Sequence, residues 1–343
     1  MSTSIDDLHH FHPSLVHLHQ PPMSSFPTEN RLSLWREIIE STRNIFKSHV
    51  GHFQAISILF LLPIVFSLIV YPSFHLAIFH PDYDFTSFAR PHFSNIEIIL
   101  LIVYTLFLSL FFICGVGTTT YSAVQAFYDR PINLVSSIKS IRNSFFPLLS
   151  TLIVSQTIFI SITLIFSLIL VFVVQILQSL GLKHGLNDHL SFVVIFGLIV
   201  LVPVLIWLQV NWSLAYVIAV VESKKGYETL RRSANLVKGK RWVAFGILMY
   251  YGLVIALMVV GCSMFLVSVD AAKGDQWRSL AVILQTVLGS VFGYVLMNQY
   301  LVVNMVLCMC CKELNNDEKL ALETGGEYVY LPLDEEKKNH AIV

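Results

Sequence analysis

Residues 238–269 read KGKRWVAFGILMYYGLVIALMVVGCSMFLVSV, and this stretch decides the class of fold. After Trp242 no Asp, Glu, Lys or Arg occurs until Asp270. A helix needs about 20 mainly apolar residues to cross the hydrocarbon core of a bilayer, which is about 30 Å thick. In lipid the backbone must satisfy its own hydrogen bonds, so the run is predicted to be a transmembrane α-helix.

Five further stretches have the same character. Spans are predicted at about residues 53–73, 98–118, 148–174, 192–220, 243–267 and 281–308. Composition agrees, because 55% of the 343 residues are hydrophobic and 13% are charged, against about 25% charged residues in soluble domains. The chain is therefore predicted to be an all-α integral membrane protein, a bundle of six transmembrane helices within residues 30–311.

Two polar segments flank the predicted bundle. Residues 1–29 are rich in His and Pro, residues 312–343 are rich in charge, and both are predicted to be disordered cytosolic tails. Histidine can bind zinc, but the N-terminal segment lacks the fixed spacing of a packed zinc site, so we predict no metal and no cofactor. The formal net charge is zero, which argues against nucleic acid as a partner.

The connections between the predicted spans alternate in basic charge. The segment before span one and the second and fourth connections hold most of the Lys and Arg, whereas the other three connections hold one or two each. Because basic connections stay in the cytosol, both termini and the basic connections are predicted to be cytosolic. We expect the protein in the endomembrane system or the plasma membrane.

An amphipathic segment precedes spans one, three and five, which suggests a weak internal repeat. Each segment is predicted to be an interfacial helix whose apolar face contacts acyl chains and whose basic side chains face phosphates. The apolar faces are Leu32, Trp35, Ile38, Ile39, Ile45 and Phe46; Leu134, Val135, Ile138 and Ile141; and Tyr227, Leu230, Ala234 and Val237.

The connection before span five carries a recognisable pattern, ESKKGYETLRRSANLVKGKRW at residues 222–242. It resembles the E…G…LRRS..L..G..W signature of a family of integral membrane domains. That family includes the membrane regions of some bacterial glycerophosphodiester phosphodiesterases and plant proteins of unknown function. The plant-type members are most similar, through six spans, the pair Cys311-Lys312 and a tail patch at Tyr330, Pro332 and Leu333. The resemblance implies the fold alone, since the phosphodiesterase activity belongs to a separate soluble domain.

Charged residues of this pattern suggest a site. Glu222 lies where span four is predicted to end, and Arg231 and Arg232 are the nearest candidate partners for its carboxylate. One interpretation is that the basic side chains bind anionic lipid headgroups; the other is an ion pair within ordinary topology-determining charge. The candidate residues are Glu222, Gly226, Arg231, Arg232, Ser233, Lys238, Gly239 and Trp242.

Two further motifs suggest modification or sorting. Cysteines at a predicted cytosolic boundary are typical S-acylation sites, with soft-metal binding or simple packing as alternatives. Tyrosine followed at the third position by an apolar residue is typical of adaptor-read sorting signals, and a disordered tail is the alternative. The residues are Cys308, Cys310 and Cys311 for acylation, and Tyr328, Tyr330, Leu331 and Leu333 for sorting through protein partners of the cytosolic tail.

Several functional signatures are absent from the sequence. No Asp, Glu, Lys or Arg lies in the middle of a predicted span, and no nucleotide-binding or hydrolase motif occurs. We therefore expect a non-enzymatic protein that organises lipids or partners or supports their traffic. A passive or facilitated carrier lined by amide side chains is the alternative, and a membrane-embedded lipid enzyme comes third. The amides are Gln156, Gln175, Gln209, Asn211, Gln285, Asn298, Gln299 and Asn304.

Overall fold

The computed structural model describes residues 31–79, 94–179, 186–270 and 276–323, and these residues form helices and short turns without strands. Six helical spans in these ranges are long and apolar enough to cross a membrane, which confirms the predicted fold class. The elements are α1 (Arg31–Ser48), α2 (Val50–Ile56), a π-helical turn (Ser57–Leu61), α3 (Leu62–Phe79), α4 (Asn95–Phe127), α5 (Leu134–Ser179), α6 (Leu186–Asn211), α7 (Ala215–Val221), α8 (Tyr227–Leu236), α9 (Arg241–Asp270) and α10 (Gln276–Glu323).

The spans run antiparallel, so alternate connections meet at the same end of the bundle. Helix α1, the α4–α5 turn at 128–133 and the connection 222–240 all lie at one end, which we call the basic end. Away from this end, α4, α5 and α6 expose apolar side chains around most of their circumference. A helical protein in water does not leave so much apolar surface uncovered, whereas acyl chains cover it in a bilayer.

The basic-end half of α10 forms the centre of the fold. Every residue from 301 to 311 is buried, so this part of the helix is covered on all sides. Residues of α1, α4, α7 and α9 pack around it in one apolar cluster. A helix that is apolar all round is stable only inside such a packed shell.

Helix α1 is amphipathic, as predicted, but its buried face differs from the prediction. Leu34, Ile38, Thr42 and Ile45 are buried, with spacings of four, four and three residues, and the three apolar ones join the cluster around α10. The predicted contact of Ile38 and Ile45 with acyl chains is therefore wrong. Packing against α10 removes these two side chains from water, whereas Ile39 stays exposed.

The third span is one continuous helix, as predicted, but the separate amphipathic helix predicted before it is wrong. Helix α5 runs from Leu134 through Pro147 to Ser179 without interruption. The segment between Leu134 and Pro147 contains no glycine, so nothing ends the helix before the span. Proline removes one backbone donor, and Thr151 Oγ donates to the Pro147 carbonyl one turn later at 2.8 Å.

The fourth span is broken between α6 and α7, where the chain leaves helical geometry at 212–214. Pro203 lies within helix α6, nine residues before the break. The break is held by contacts from α8 described below.

Helix α10 extends into the segment predicted to be a disordered C-terminal tail, because it continues beyond residue 312 to Glu323. Residues 312–323 read KELNNDEKLALE, which are largely good helix formers with no Gly or Pro. The helix can therefore propagate past the packed core, and residues 312–323 are helical rather than disordered.

Candidate functional site: the basic end around helix α8

Gly226 sets the entry of the chain into α8. Its φ of +56° and ψ of −127° lie in a region that glycine adopts without strain and other residues avoid. A Cβ at this position would lie 3.1 Å from Ser150 Oγ and 3.3 Å from Val154 Cγ2 of α5. Both the backbone conformation and the close approach to α5 therefore favour glycine in the E…G…LRRS pattern.

Ser233 joins α8 to the break in the fourth span. Its hydroxyl donates to the Asn211 carbonyl at 2.8 Å and accepts from the Leu214 N–H at 3.3 Å. These two backbone groups lack helical partners because the chain turns between α6 and α7. A buried carbonyl or N–H without a partner costs about 1–3 kcal/mol, so Ser233 stabilises the break.

Glu222 forms ion pairs with cations of two helices. Its carboxylate lies 2.8 Å from Lys312 Nζ of α10 and 3.7 Å from Arg232 Nε of α8. Of the two predicted partners Arg232 is correct, whereas Arg231 is exposed and forms no ion pair among the described residues. Lys312 was not identified as a partner because it lies far away in sequence, although it belongs to the Cys311-Lys312 pair that carried part of the resemblance.

Helix α8 has one face on the bundle and one face away from it. Thr229, Leu230, Ser233 and Leu236 are buried, and Thr229 Oγ lies 3.3 Å from Thr151 Oγ of α5. Leu230 and Val237 are buried in the bundle, so their predicted contact with acyl chains is wrong, whereas Tyr227 is 64% exposed and its contact with lipid stays a prediction. The short helix packs its small and branched side chains on the protein and leaves the tyrosine outside.

The outward side of α8 and the turn after it combine unpaired cations with a large aromatic ring. Tyr227 and Arg231 are exposed four residues apart on one face of α8, and Lys238 is exposed in the turn that follows the helix. In the part of the chain that the structure describes, Arg231 and Lys238 have no carboxylate within 4.0 Å, whereas Lys224 pairs with Glu228 at 2.7 Å. The exposed cations are therefore available to an external anion.

A glycine turn connects α8 to α9 and places a second aromatic side chain at the surface. Gly239 has φ +91°, and a Cβ there would meet no atom within 4 Å. Trp242 follows at the start of α9 and is 68% exposed. Arg241 lies over the ring of Trp207 at 5.8 Å, so a cation and an indole also meet at the end of α6. Exposed tryptophan and tyrosine with cations are typical of a membrane–water interface.

The three cysteines proposed for acylation are buried in the bundle. Cys308 and Cys310 are 0% exposed and Cys311 is 3% exposed, because α1, α7 and α9 pack around this part of α10. Buried thiols are inaccessible to an acyltransferase in this arrangement, which agrees with the packing interpretation. Their S-acylation stays a prediction.

A second polar cluster links α2, α4 and α5. His52 Nε2 lies 3.0 Å from Ser122 Oγ, Ser122 Oγ donates to Ser137 Oγ at 2.9 Å, and Ser137 Oγ donates to the Asn133 carbonyl at 3.1 Å. Ser137 Oγ also lies 3.4 Å from His52 Nε2, so the imidazole contacts the hydroxyls of both α4 and α5. The cluster therefore joins α2, α4 and α5 through polar contacts.

Burial also raises the pKa of one carboxyl group at the basic end. The pKa of Glu37 in α1 is raised by burial and, to a smaller extent, by repulsion from Glu40. Falling pH therefore removes the negative charge of Glu37 before that of an ordinary glutamate. Protonation of Glu37 removes a negative charge that offsets the positive charges of α1.

Some predicted residues give weaker or no structural information. The amide side chains are not brought together on one surface, since Asn211, Asn298 and Asn304 are buried while Gln156 and Gln175 are exposed. In the described ranges no group of three or more His, Cys, Asp or Glu is placed to hold a metal ion. The tail residues Tyr328, Tyr330, Leu331 and Leu333, and the His-rich segment, lie outside the described residues and their roles stay predictions.

The fold and this site define a six-span α-helical membrane protein in which amphipathic helices pack onto one end of the bundle. The chain belongs to the family described as "Domain of unknown function (DUF8558)", whose match covers residues 31–332. No curated protein and no solved structure matches the chain. The family assignment carries no activity.

Proposed function

We propose that this protein is a non-enzymatic membrane protein that gathers anionic lipids at its basic end and so organises the membrane around it or supports traffic. The proposal has the basic end facing the cytosol, in an endomembrane or the plasma membrane. The cytosolic leaflet is negatively charged, so exposed cations at this end have a ready partner.

The exposed face of α8 is the observation that supports this proposal most directly. Arg231 shares that face with Tyr227, exposed Lys238 follows in the turn after α8, and the exposed ring of Trp242 lies at the start of the next span. Each cation near an anionic leaflet contributes about 1 kcal/mol. Aromatic rings at the same level anchor a helix in the headgroup region. The proposed ligand is therefore the phosphate-bearing headgroup of an anionic lipid.

Removing the two free cations should weaken lipid binding. The double variant Arg231→Gln/Lys238→Gln is expected to bind phosphatidylserine or phosphoinositide at α8 about tenfold more weakly than the wild type, since two side chains near the leaflet are lost. Bound lipid is measured by native mass spectrometry of the purified protein.

The matched control is Lys224→Gln/Arg232→Gln, which removes the same charge from cations that are already paired with carboxylates. This control should keep its anionic lipid. Both variants retain five of the seven basic residues in the connection, so orientation should not change. Equal lipid loss in the two variants would mean that total charge, rather than the exposed face of α8, attracts the lipid.

The orientation of the bundle is tested separately. Ser223 is exposed at the basic end, and a cysteine placed there in a cysteine-free background should react with an impermeant maleimide only after permeabilisation. A cysteine at Asp275, in the weakly basic connection between the last two spans, should react in intact cells or sealed vesicles of native orientation. The reverse labelling pattern would place the basic end outside the cytosol and remove the anionic leaflet as its partner.

We also propose a relationship to the membrane regions of bacterial glycerophosphodiester phosphodiesterases. Support comes from the signature residues, because Glu222, Gly226 and Ser233 all have contacts that hold α8 against the bundle. Signature residues that hold α8 in place would preserve the fold and would not indicate phosphodiesterase activity. A solved structure of such a membrane region with a different helix order would contradict this relationship.

A further inference from the structure

The basic end has three helical segments that enter in the same way, each directly before a span. Helix α1 precedes the first span, the first turns of α5 lead into the third span, and α8 precedes the fifth span. The alternation of the spans puts all three at one level of the bundle. A comparison of their exposed faces shows a shared chemistry.

Helix α1 exposes a line of cations. Arg36, Arg43 and Lys47 are exposed and follow each other at spacings of seven and four residues, which keeps them within a narrow stripe of the helix. Ile39 is exposed beside this stripe, and Glu40 lies on the same side. The opposite face is buried against α10, so the stripe points away from the bundle.

The start of α5 repeats this arrangement with different residues. Lys139 and Arg142 are exposed on the same side as the exposed apolar side chains of Val135 and Phe146. Ser137, Ser144 and Leu148 form the buried side of these turns. No Asp or Glu occurs between Asp129 and Asp188, so no acidic residue of this segment opposes the two cations.

None of these five cations has a carboxylate within 4.0 Å among the residues that the structure describes. Unpaired cations next to exposed apolar side chains match the two parts of a lipid at the headgroup boundary, phosphate and acyl chain. A soluble acidic protein would match the charge but leave the apolar side chains without a partner. The pattern therefore fits a membrane surface better than a protein.

We propose that α1 and the first turns of α5 are two additional binding faces for anionic lipid, which with α8 form a basic collar of three faces around the bundle. The collar of three faces rests on the proposed function for α8, whereas the faces on α1 and α5 stand on their own residues. One face precedes each helical hairpin, so the protein holds anionic lipid on three sides.

The experiment uses the full-length protein, delipidated and titrated with phosphatidylserine, with bound lipids counted by native mass spectrometry. The variants are Arg36→Gln/Arg43→Gln/Lys47→Gln for α1 and Lys139→Gln/Arg142→Gln for α5, each alone and combined with the α8 pair. Each face variant is expected to lower the number of bound phosphatidylserine molecules by about a third and to leave phosphatidylcholine binding unchanged, as expected for separate cationic surfaces. Each combination with the α8 pair is expected to lower the number of bound phosphatidylserine molecules by about two thirds.

Charge-conserving variants separate binding from folding. Arg36→Lys/Arg43→Lys and Arg142→Lys should bind phosphatidylserine like the wild type, because a lysine keeps the charge at the surface. Wild-type phosphatidylserine binding in both the α1 and α5 glutamine variants would overturn this inference while leaving the α8 proposal intact. Loss at α1 and α5 with no loss at α8 would overturn the α8 proposal and leave the two additional faces.

Discussion

Replacing Gly226 with valine is expected to lower the free energy of unfolding by about 3 kcal/mol. Part of this loss arises because a residue other than glycine is strained by about 1–3 kcal/mol at a φ of +56° and a ψ of −127°. The rest arises because the new side chain would overlap Ser150 and Val154 of α5, and overpacking costs about 1–3 kcal/mol. Unfolding in sodium dodecyl sulfate, followed by circular dichroism, measures the change.

Gly239→Val is the matched control for Gly226→Val. Gly239 also has a positive φ, +91°, but open space surrounds it, so only the backbone strain should appear. The expected loss is about 1–2 kcal/mol. If the two valine variants are equally stable, the close approach of Gly226 to α5 contributes nothing and α8 is not held in the manner described.

Replacing Glu222 with glutamine is expected to destabilise the protein by about 2 kcal/mol. The change leaves Lys312 and Arg232 without their carboxylate in a place where Glu222 and Lys312 are 17% and 23% exposed. Removing one partner of a fully buried ion pair costs about 3–5 kcal/mol, and the remaining exposure reduces this value. A double-mutant cycle with Lys312→Gln should give a coupling energy of about 1–2 kcal/mol.

The pair Lys224–Glu228 provides a control at almost the same distance. These atoms are 2.7 Å apart, against 2.8 Å for Lys312–Glu222, but their side chains are 35% and 65% exposed. The corresponding cycle should give at most about 0.5 kcal/mol, as is usual for exposed pairs four residues apart on a helix. If the Glu222–Lys312 cycle gave a coupling energy as small as that of Lys224–Glu228, this pair would not hold α8 against α10.

The spans of the bundle were predictable because each depends on local information. A run of apolar residues long enough to cross the bilayer identifies a helix whatever its neighbours are, and the continuity of α5 followed from the absence of glycine. The break at 212–214 was missed for the opposite reason. The break depends on a hydrogen bond from Ser233, which lies in α8. Pro203 of α6 is closer to the break in sequence but does not form that contact.

The candidate site was predictable in composition and only partly in geometry. The charged and glycine residues of 222–242 stood out, but a pattern cannot say which cation meets Glu222 when one of them lies in α10. Amphipathic periodicity correctly indicated a buried face on α1 and α8. It could not distinguish acyl chains from protein as the cover, which is why Ile38 and Leu230 were assigned to the wrong surroundings.

The burial of the basic-end half of α10 has a consequence for biogenesis. Helix α1 emerges from the ribosome before α10, yet Leu34, Ile38 and Ile45 pack in the cluster built around α10. Until α10 has been synthesised and inserted, the apolar face of α1 lacks most of its native cover, although domains of long chains otherwise tend to form from the N-terminus onwards. Assembly of the basic end therefore depends on the arrival of a helix more than 200 residues later in the sequence.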